Sequence, residues 1–327
     1  MSPSDATLEL IEMADIDELV RHIDRLCDAA DWEEVVWVRD LSRKALERGR
    51  QLWAVASRAE YRLALSAPAG FAAATLFPGS GRFGLGPLPE VVASSHTWAE
   101  IAPHAPGTPD TSMCAYERVI HGDDLTGDTE IDTSMFGLPL ALQEWEPSYP
   151  TAVYTPEKAE FPIPPIPSWT DIDCTPGTPI GDEGVDALTA LASVWTTESN
   201  GRADAVAVEG DVAAALGAIG LRQARIARVD AADALGRMAW TAASGGAHGR
   251  RRGMATGRFE AWWTLAAVSG LAEDWPASPD ELGAAANELE WYLWHAGVER
   301  GWSLRLAVHD PGHGLAWALA CADERSA

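Results

Sequence analysis

Residues 244–258, SGGAHGRRRGMATGR, hold the densest set of groups able to do chemistry in this chain. Arg250, Arg251, Arg252 and Arg258 offer planar guanidinium forks that fit phosphate or carboxylate. Gly245, Gly246, Gly249, Gly253 and Gly257 would let a ligand come close to the backbone. Ser244 and His248 add a hydroxyl and an imidazole. The stretch leads into a helix expected over 254–268, whose first N–H groups and dipole favour an anion. It lacks GK[ST] and follows no strand, so it is neither a P-loop nor a dinucleotide fingerprint. Two readings stay open. The arginines pair with the chain's own carboxylates, or they hold an anionic ligand or partner.

Other candidates are sparser. WTTESNGRAD, residues 195–204, ends a helix at an Asn-Gly turn. Its Glu198, Asn200 and Arg202 either cap that helix or support the arginine loop. HDPGH, residues 309–313, places two histidines about an aspartate. Asp-Pro-Gly there reads as a hairpin turn, so no metal is assigned. The acidic stretch GDDLTGDTEID, residues 122–132, departs from the EF-hand pattern and reads as an exposed, solvated loop. Cys27, Cys114, Cys174 and Cys321 are isolated, without a CxxC pair, and read as free thiols of a reducing compartment. No nucleophile elbow, Ser–His–Asp order or HExxH is present. Catalytic residues and cofactors are therefore left unassigned, and enzyme status stays open.

Charge narrows the partners. Lys and Arg number 24 against 49 Asp and Glu, a formal net charge of −25. Duplex nucleic acid and anionic membrane surfaces are disfavoured. No 18-residue apolar run is present, and the acidic first twenty residues lack a signal-peptide core, so a cytoplasmic location is expected. Hydrophobic residues are 47%, which is ordinary globular usage and excludes disorder along the whole chain.

The elements that must position these residues divide the chain into three. Residues 1–82 predict a helical N-terminal region: Ile16, Leu19, Val20, Ile23, Leu26 and Cys27 form one apolar stripe, and further helices follow over 32–46 and 52–65. Residues 83–183 hold 2 basic and 17 acidic residues and 15 of the 21 prolines. They predict an irregular connecting segment, with FPIPPIPSW (161–169) pinned across a surface by its interleaved apolar residues.

Residues 184–327 predict a C-terminal α/β domain. It has a helix over 185–195 and strands over 203–208 and 224–229 joined by a helix over 211–219, a connection long enough for a parallel pair. Helices over 232–243 and 254–268 flank the arginine loop. A helix starting at a Ser278–Glu281 capping box carries an apolar stripe through Leu293. Trp291 lies roughly opposite that stripe, so Trp291 and Trp294 are candidate partner-binding residues. A β-hairpin ends the domain, and the alanines of its last strand suit close packing. The fold class is α+β.

GPLPEVVASSHTWAE (86–100), EWEPSYPTAVYTPEKAEFP (144–162), WTTESNGRADAVAVEGD (195–211) and ASGGAHGRRRG (243–253) resemble a group of uncharacterised proteins of high-GC actinobacteria. These segments span most of the chain, so the resemblance implies a full-length match and transfers no activity. The expected function is a non-catalytic interaction or regulatory protein, docking a protein partner through its acidic surface and a tryptophan-rich face. The alternative is an enzyme or binding protein for a phosphorylated or carboxylated small molecule at the 244–258 loop.

Overall fold

The computed structural model describes residues 3–81, 83–162, 165, 168–297 and 301–324. The chain forms two compact units: Met1–Asp132 with Thr151–Phe161, and Thr133–Pro150 with Pro162–Ala327. The proline-rich middle region is shared between both, so boundaries drawn from composition differ from those drawn by packing. Within FPIPPIPSW, Ile163, Pro164, Ile166 and Pro167 lie outside the described residues.

The first unit is helical. α1 (Asp5–Met13), α2 (Ile16–Asp28), α3 (Trp32–Ala45) and α4 (Trp53–Ser66) pack as neighbours in chain order. The α2 stripe is buried at Leu19, Ile23 and Cys27, against Val35 and Val38 of α3 and Val55, Ala59 and Leu63 of α4. α5 (Ala69–Ala73), α6 (Leu88–Ser95), α7 (Trp98–Ile101) and α8 (Pro109–Ile120) follow, with α6 against α4 and α8. The irregular reading therefore fails over 88–120. Pro89 and Pro109 sit in first helical turns, where a missing N–H costs nothing. A short hairpin, β1 (Val153–Tyr154) and β2 (Ala159–Glu160), completes the unit. Tyr154 donates to the buried Glu90 at 2.7 Å, and Tyr61 to the Thr155 carbonyl at 2.6 Å.

The acidic loop 122–132 is pinned rather than freely solvated. Leu125 and Ile131 are buried. Asp123 accepts from Arg118 Nη2 at 2.8 Å, and Asp128 from Trp98 Nε1 at 2.7 Å. These bonds use carboxylates that a cation would otherwise claim.

Burial holds the imidazoles of His22, His96 and His121 below their ordinary value of 6.5. Each ring takes its proton first in the unfolded chain. Stability from the neutral rings is present above about pH 6.5 and is lost as pH falls toward the lower folded values. The melting temperature should therefore fall between about pH 7 and pH 5, and His121→Asn should flatten the fall. An identical slope in the variant would count against this account.

The second unit is built on β3 (Thr170–Asp173), β4 (Pro179–Ile180), β5 (Arg202–Glu209), β6 (Gln223–Val229), β7 (Glu290–His295), β8 (Trp302–Asp310) and β9 (Leu315–Asp323). They form one sheet in the order β3-β6-β7-β8-β9-β5-β4, with every pair antiparallel. The terminal hairpin is β8–β9. The expected parallel neighbours β5 and β6 run in the same direction but are separated by β7, β8 and β9. β5 pairs instead with β9, where Val208 lies opposite Ala316, and with β4 on its other edge.

α9 (Glu183–Ala190), α10 (Ser193–Glu198), α11 (Val212–Ala218), α12 (Ala231–Ala243), α13 (Met254–Val268) and α14 (Pro279–Glu288) complete the unit. α11 covers one face, where Ala215 and Leu216 meet the bare alanines Ala316 and Ala318. Small side chains there let the helix lie close to the sheet. α9 contacts β5 and β9, and α12 contacts β7 and β8. The helix expected over 185–195 is broken between α9 and α10.

The stripe traced from Ser278 through Leu293 also breaks. α14 ends at Glu288, Leu289 turns extended, and EWYLWH becomes β7. Aromatic residues favour a pleated, half-buried surface over a helix end. Ser278 is the N-cap but makes no side-chain capping bond, so the expected box does not form. Among the described residues no helix is long and apolar enough to cross a membrane.

Candidate functional site

The 244–258 loop is a helix-to-helix connection folded back on its own unit. Arg252 N–H donates to the Ala243 carbonyl at 2.7 Å, closing it across the ends of α12 and α13. Ala247 N–H donates to Asp323 Oδ2 at 2.6 Å, tying the loop to the end of β9. Cβ atoms on Gly245, Gly246 and Gly249 would lie within 3 Å of neighbouring atoms, so those glycines serve self-packing.

The side chains are mostly spent internally. Arg258 is fully buried, and its guanidinium reaches Glu146 through Nε at 2.7 Å and Nη2 at 2.6 Å. It also donates to the carbonyls of Pro139 at 2.9 Å and Ala141 at 3.1 Å. Ser244 is buried, accepting from Trp195 Nε1 at 2.9 Å and donating to the Thr241 carbonyl at 3.1 Å. These two residues hold the fold, a correction to their assignment to an open anion site. Arg252 pairs with Glu260 at 3.1 Å. Burial pushes the Glu260 carboxyl up, opposed by Arg252. Arg251 lies over the Trp240 ring, 4.7 Å from its centroid. His248 and Arg250 are exposed.

Of the supporting residues, Glu198 does reach the loop, accepting from Arg250 N–H at 3.1 Å. Asn200 is exposed in the turn before β5, and Arg202 begins that strand. Trp291 and Trp294 are 1% and 2% exposed within β7. Trp291 donates to the Ala286 carbonyl at 2.9 Å, and Trp294 to that of Leu319 at 3.1 Å. Both belong to the core, which corrects their assignment to a partner-binding face.

The turn at 310–314 is an aspartate turn. Asp310 accepts from Gly312 N–H at 2.8 Å and from His313 N–H at 3.1 Å, while His309 faces Glu290. Among the described residues no group of His, Cys, Asp and Glu could hold a metal. Cys27, Cys114 and Cys321 are buried, and burial raises all three thiols, Cys27 to about 11. A raised thiol is a poor nucleophile near neutral pH.

Two features went unmarked in the sequence. The first is a cleft of about 430 Å³ along α12, lined by Gly236, Arg237 and Trp240 on the helix and by Pro147, Pro150, Pro162 and Pro165 opposite. Its signal was a glycine in mid-helix one turn before a tryptophan. The second is the segment FPGSGRFGLGP, residues 77–87, of the helical unit. Phe77, Phe83 and Leu85 are 47%, 56% and 42% exposed there. Parts of it are nonetheless tied down. Gly81 N–H donates to the buried Glu60, Phe83 N–H to Ser57 Oγ at 3.3 Å, and Arg43 to Ser80 Oγ at 2.9 Å. Trp53, one turn before Ser57 on α4, is 38% exposed on the same helix face. The signal was an aromatic residue and a leucine set between glycines.

Neither the curated proteins nor the solved structures provide a match to this chain. A family model described as a family of unknown function matches residues 17–325, in keeping with a full-length resemblance. The chain belongs to that family, DUF6183.

Proposed function

We propose that the protein is a non-catalytic interaction protein, cytoplasmic, that docks a protein partner through the 77–87 loop of its helical unit. One observation carries this: large apolar side chains are held out on a loop whose backbone donates to Glu60 and Ser57 and whose Ser80 hydroxyl accepts from Arg43. A soluble surface that displays grouped aromatics on a fixed scaffold commonly marks an interface. Backbone bonds already made at Gly81 and Phe83 lower the entropy cost of association.

Charge supports a basic partner. The helical unit holds 25 acidic against 12 basic residues. A basic protein surface with an apolar recess suits this loop, and an anionic bilayer or duplex does not. The rival reading, a small anion at the arginine loop, has His248 and Arg250 as the exposed side chains among its candidates there.

The double variant Phe77→Ser/Leu85→Ser removes the apolar tips without touching the bonds that hold the loop. It should keep the wild-type melting temperature and lose a protein captured from the source cell by the wild type. An unchanged set of captured proteins would defeat the proposal.

A further inference from the structure

The α12 cleft shows a glycine whose lack of a side chain no neighbour demands. Five described glycines lie inside helices of the sheet-bearing unit. A Cβ on Gly184 would come within 2.8 Å of another atom, on Gly217 within 1.8 Å, on Gly257 within 2.1 Å and on Gly283 within 2.4 Å. Those four are required by packing. The atoms nearest a Cβ on Gly236 would be those of Pro147 and Pro150, at 3.8 and 3.9 Å, which is ordinary contact. Its φ is helical, so alanine would fit both space and backbone and would strengthen the helix. Glycine at this position costs stability and leaves the cleft open, a pattern common at sites kept for function.

The walls say what would enter. Ala232, Gly236 and Trp240 repeat at four-residue spacing along α12, facing Pro147, Pro150, Pro162 and Pro165, with Leu304 at the end. The volume, about 430 Å³, falls in the range of small-ligand sites. The charged groups of the lining are Asp233 and Arg237, and they pair with each other at 3.0 Å. Arg237 also donates to the Pro165 carbonyl at 3.3 Å. A guanidinium already balanced by a carboxylate gives little net attraction to an anion. The pair still presents both a donor and an acceptor.

We infer that this cleft binds a neutral, largely apolar small molecule that bears an amide-like edge, its apolar body against Trp240 and the prolines and its polar edge at the Asp233–Arg237 pair. The site lies wholly in the sheet-bearing unit and is independent of the 77–87 docking loop.

Fluorine NMR of 4-fluorobenzamide and 4-fluorobenzoate, each mixed with the full chain, tests it. The amide resonance should broaden with the wild type, and the benzoate resonance should stay sharp. Gly236→Leu, which fills the cleft, should abolish the broadening. Ala232→Leu, on the same wall, provides a second block should Gly236→Leu unfold. Gly236→Ala should melt a few degrees higher than the wild type and broaden the amide line less. A sharp amide line with the wild type, equal broadening in a folded, blocked variant, or broadening of the benzoate alone would each overturn the inference.

Discussion

Glu146→Ala is expected to destabilise the sheet-bearing unit by about 3–5 kcal/mol, the usual cost of breaking a buried ion pair from one side. Both side chains are out of water, at 0% exposure for Glu146 and 1% for Arg258. Glu146 accepts from Arg258 twice, from Trp262 Nε1 at 2.9 Å and from the Tyr149 hydroxyl at 2.7 Å. Burial, with the Glu146 charge beside it, holds the Tyr149 hydroxyl well above its ordinary value, so it remains a donor. Alanine would strand a guanidinium among Pro139, Ala141 and Trp262, with its best acceptor gone. The paired replacement Glu146→Leu/Arg258→Met removes both charges and should recover part of the loss, the buried Trp262 and Tyr149 donors still lacking the Glu146 acceptor. Urea unfolding of the three proteins decides it. A midpoint for Glu146→Ala within error of wild type would contradict this account of the carboxylate.

Gly257→Ala should also destabilise, by about 1–3 kcal/mol, the cost of overpacking. The added Cβ would stand 2.1 Å from the Ala239 carbonyl oxygen and 3.0 Å from the Ala243 Cβ. α12 and α13 would have to separate, carrying the ends of the arginine loop with them. Helix propensity alone forecasts the opposite sign, a gain of about 1 kcal/mol. Thermal melts therefore discriminate cleanly, and a higher melting temperature would show that the two helices are not in such close contact.

Much of the scaffold is legible in the sequence because its signals are local. The Leu19, Ile23 and Cys27 stripe needs only helical periodicity, and the β8–β9 hairpin only alternation about Asp-Pro-Gly. β7 was missed because EWYLWH follows a well-started helix without a glycine or proline between them. Its strand character comes from pairing with β6 and β8, which are distant in sequence. The same limit hid the roles of arginines. Nothing near residue 258 announces that Glu146, over a hundred positions earlier, neutralises Arg258. The 88–120 helices were masked by prolines that count against a helix in bulk composition and support one in a first turn. Exposure was hardest to read. Trp291 and Trp294 looked surplus to their stripe and are core, whereas Phe77 and Leu85 drew no notice and stand in solvent.

The central claim is that the 77–87 loop is where this protein meets a protein partner. Site-specific photo-crosslinking in the source cell tests it most directly. A benzophenone side chain would replace Phe77 or Leu85 in turn, with the exposed Thr126 of the same unit as control. The account predicts a single discrete crosslinked protein from positions 77 and 85 and none from position 126. Adducts of equal yield from all three positions, or none from 77 and 85, would contradict it.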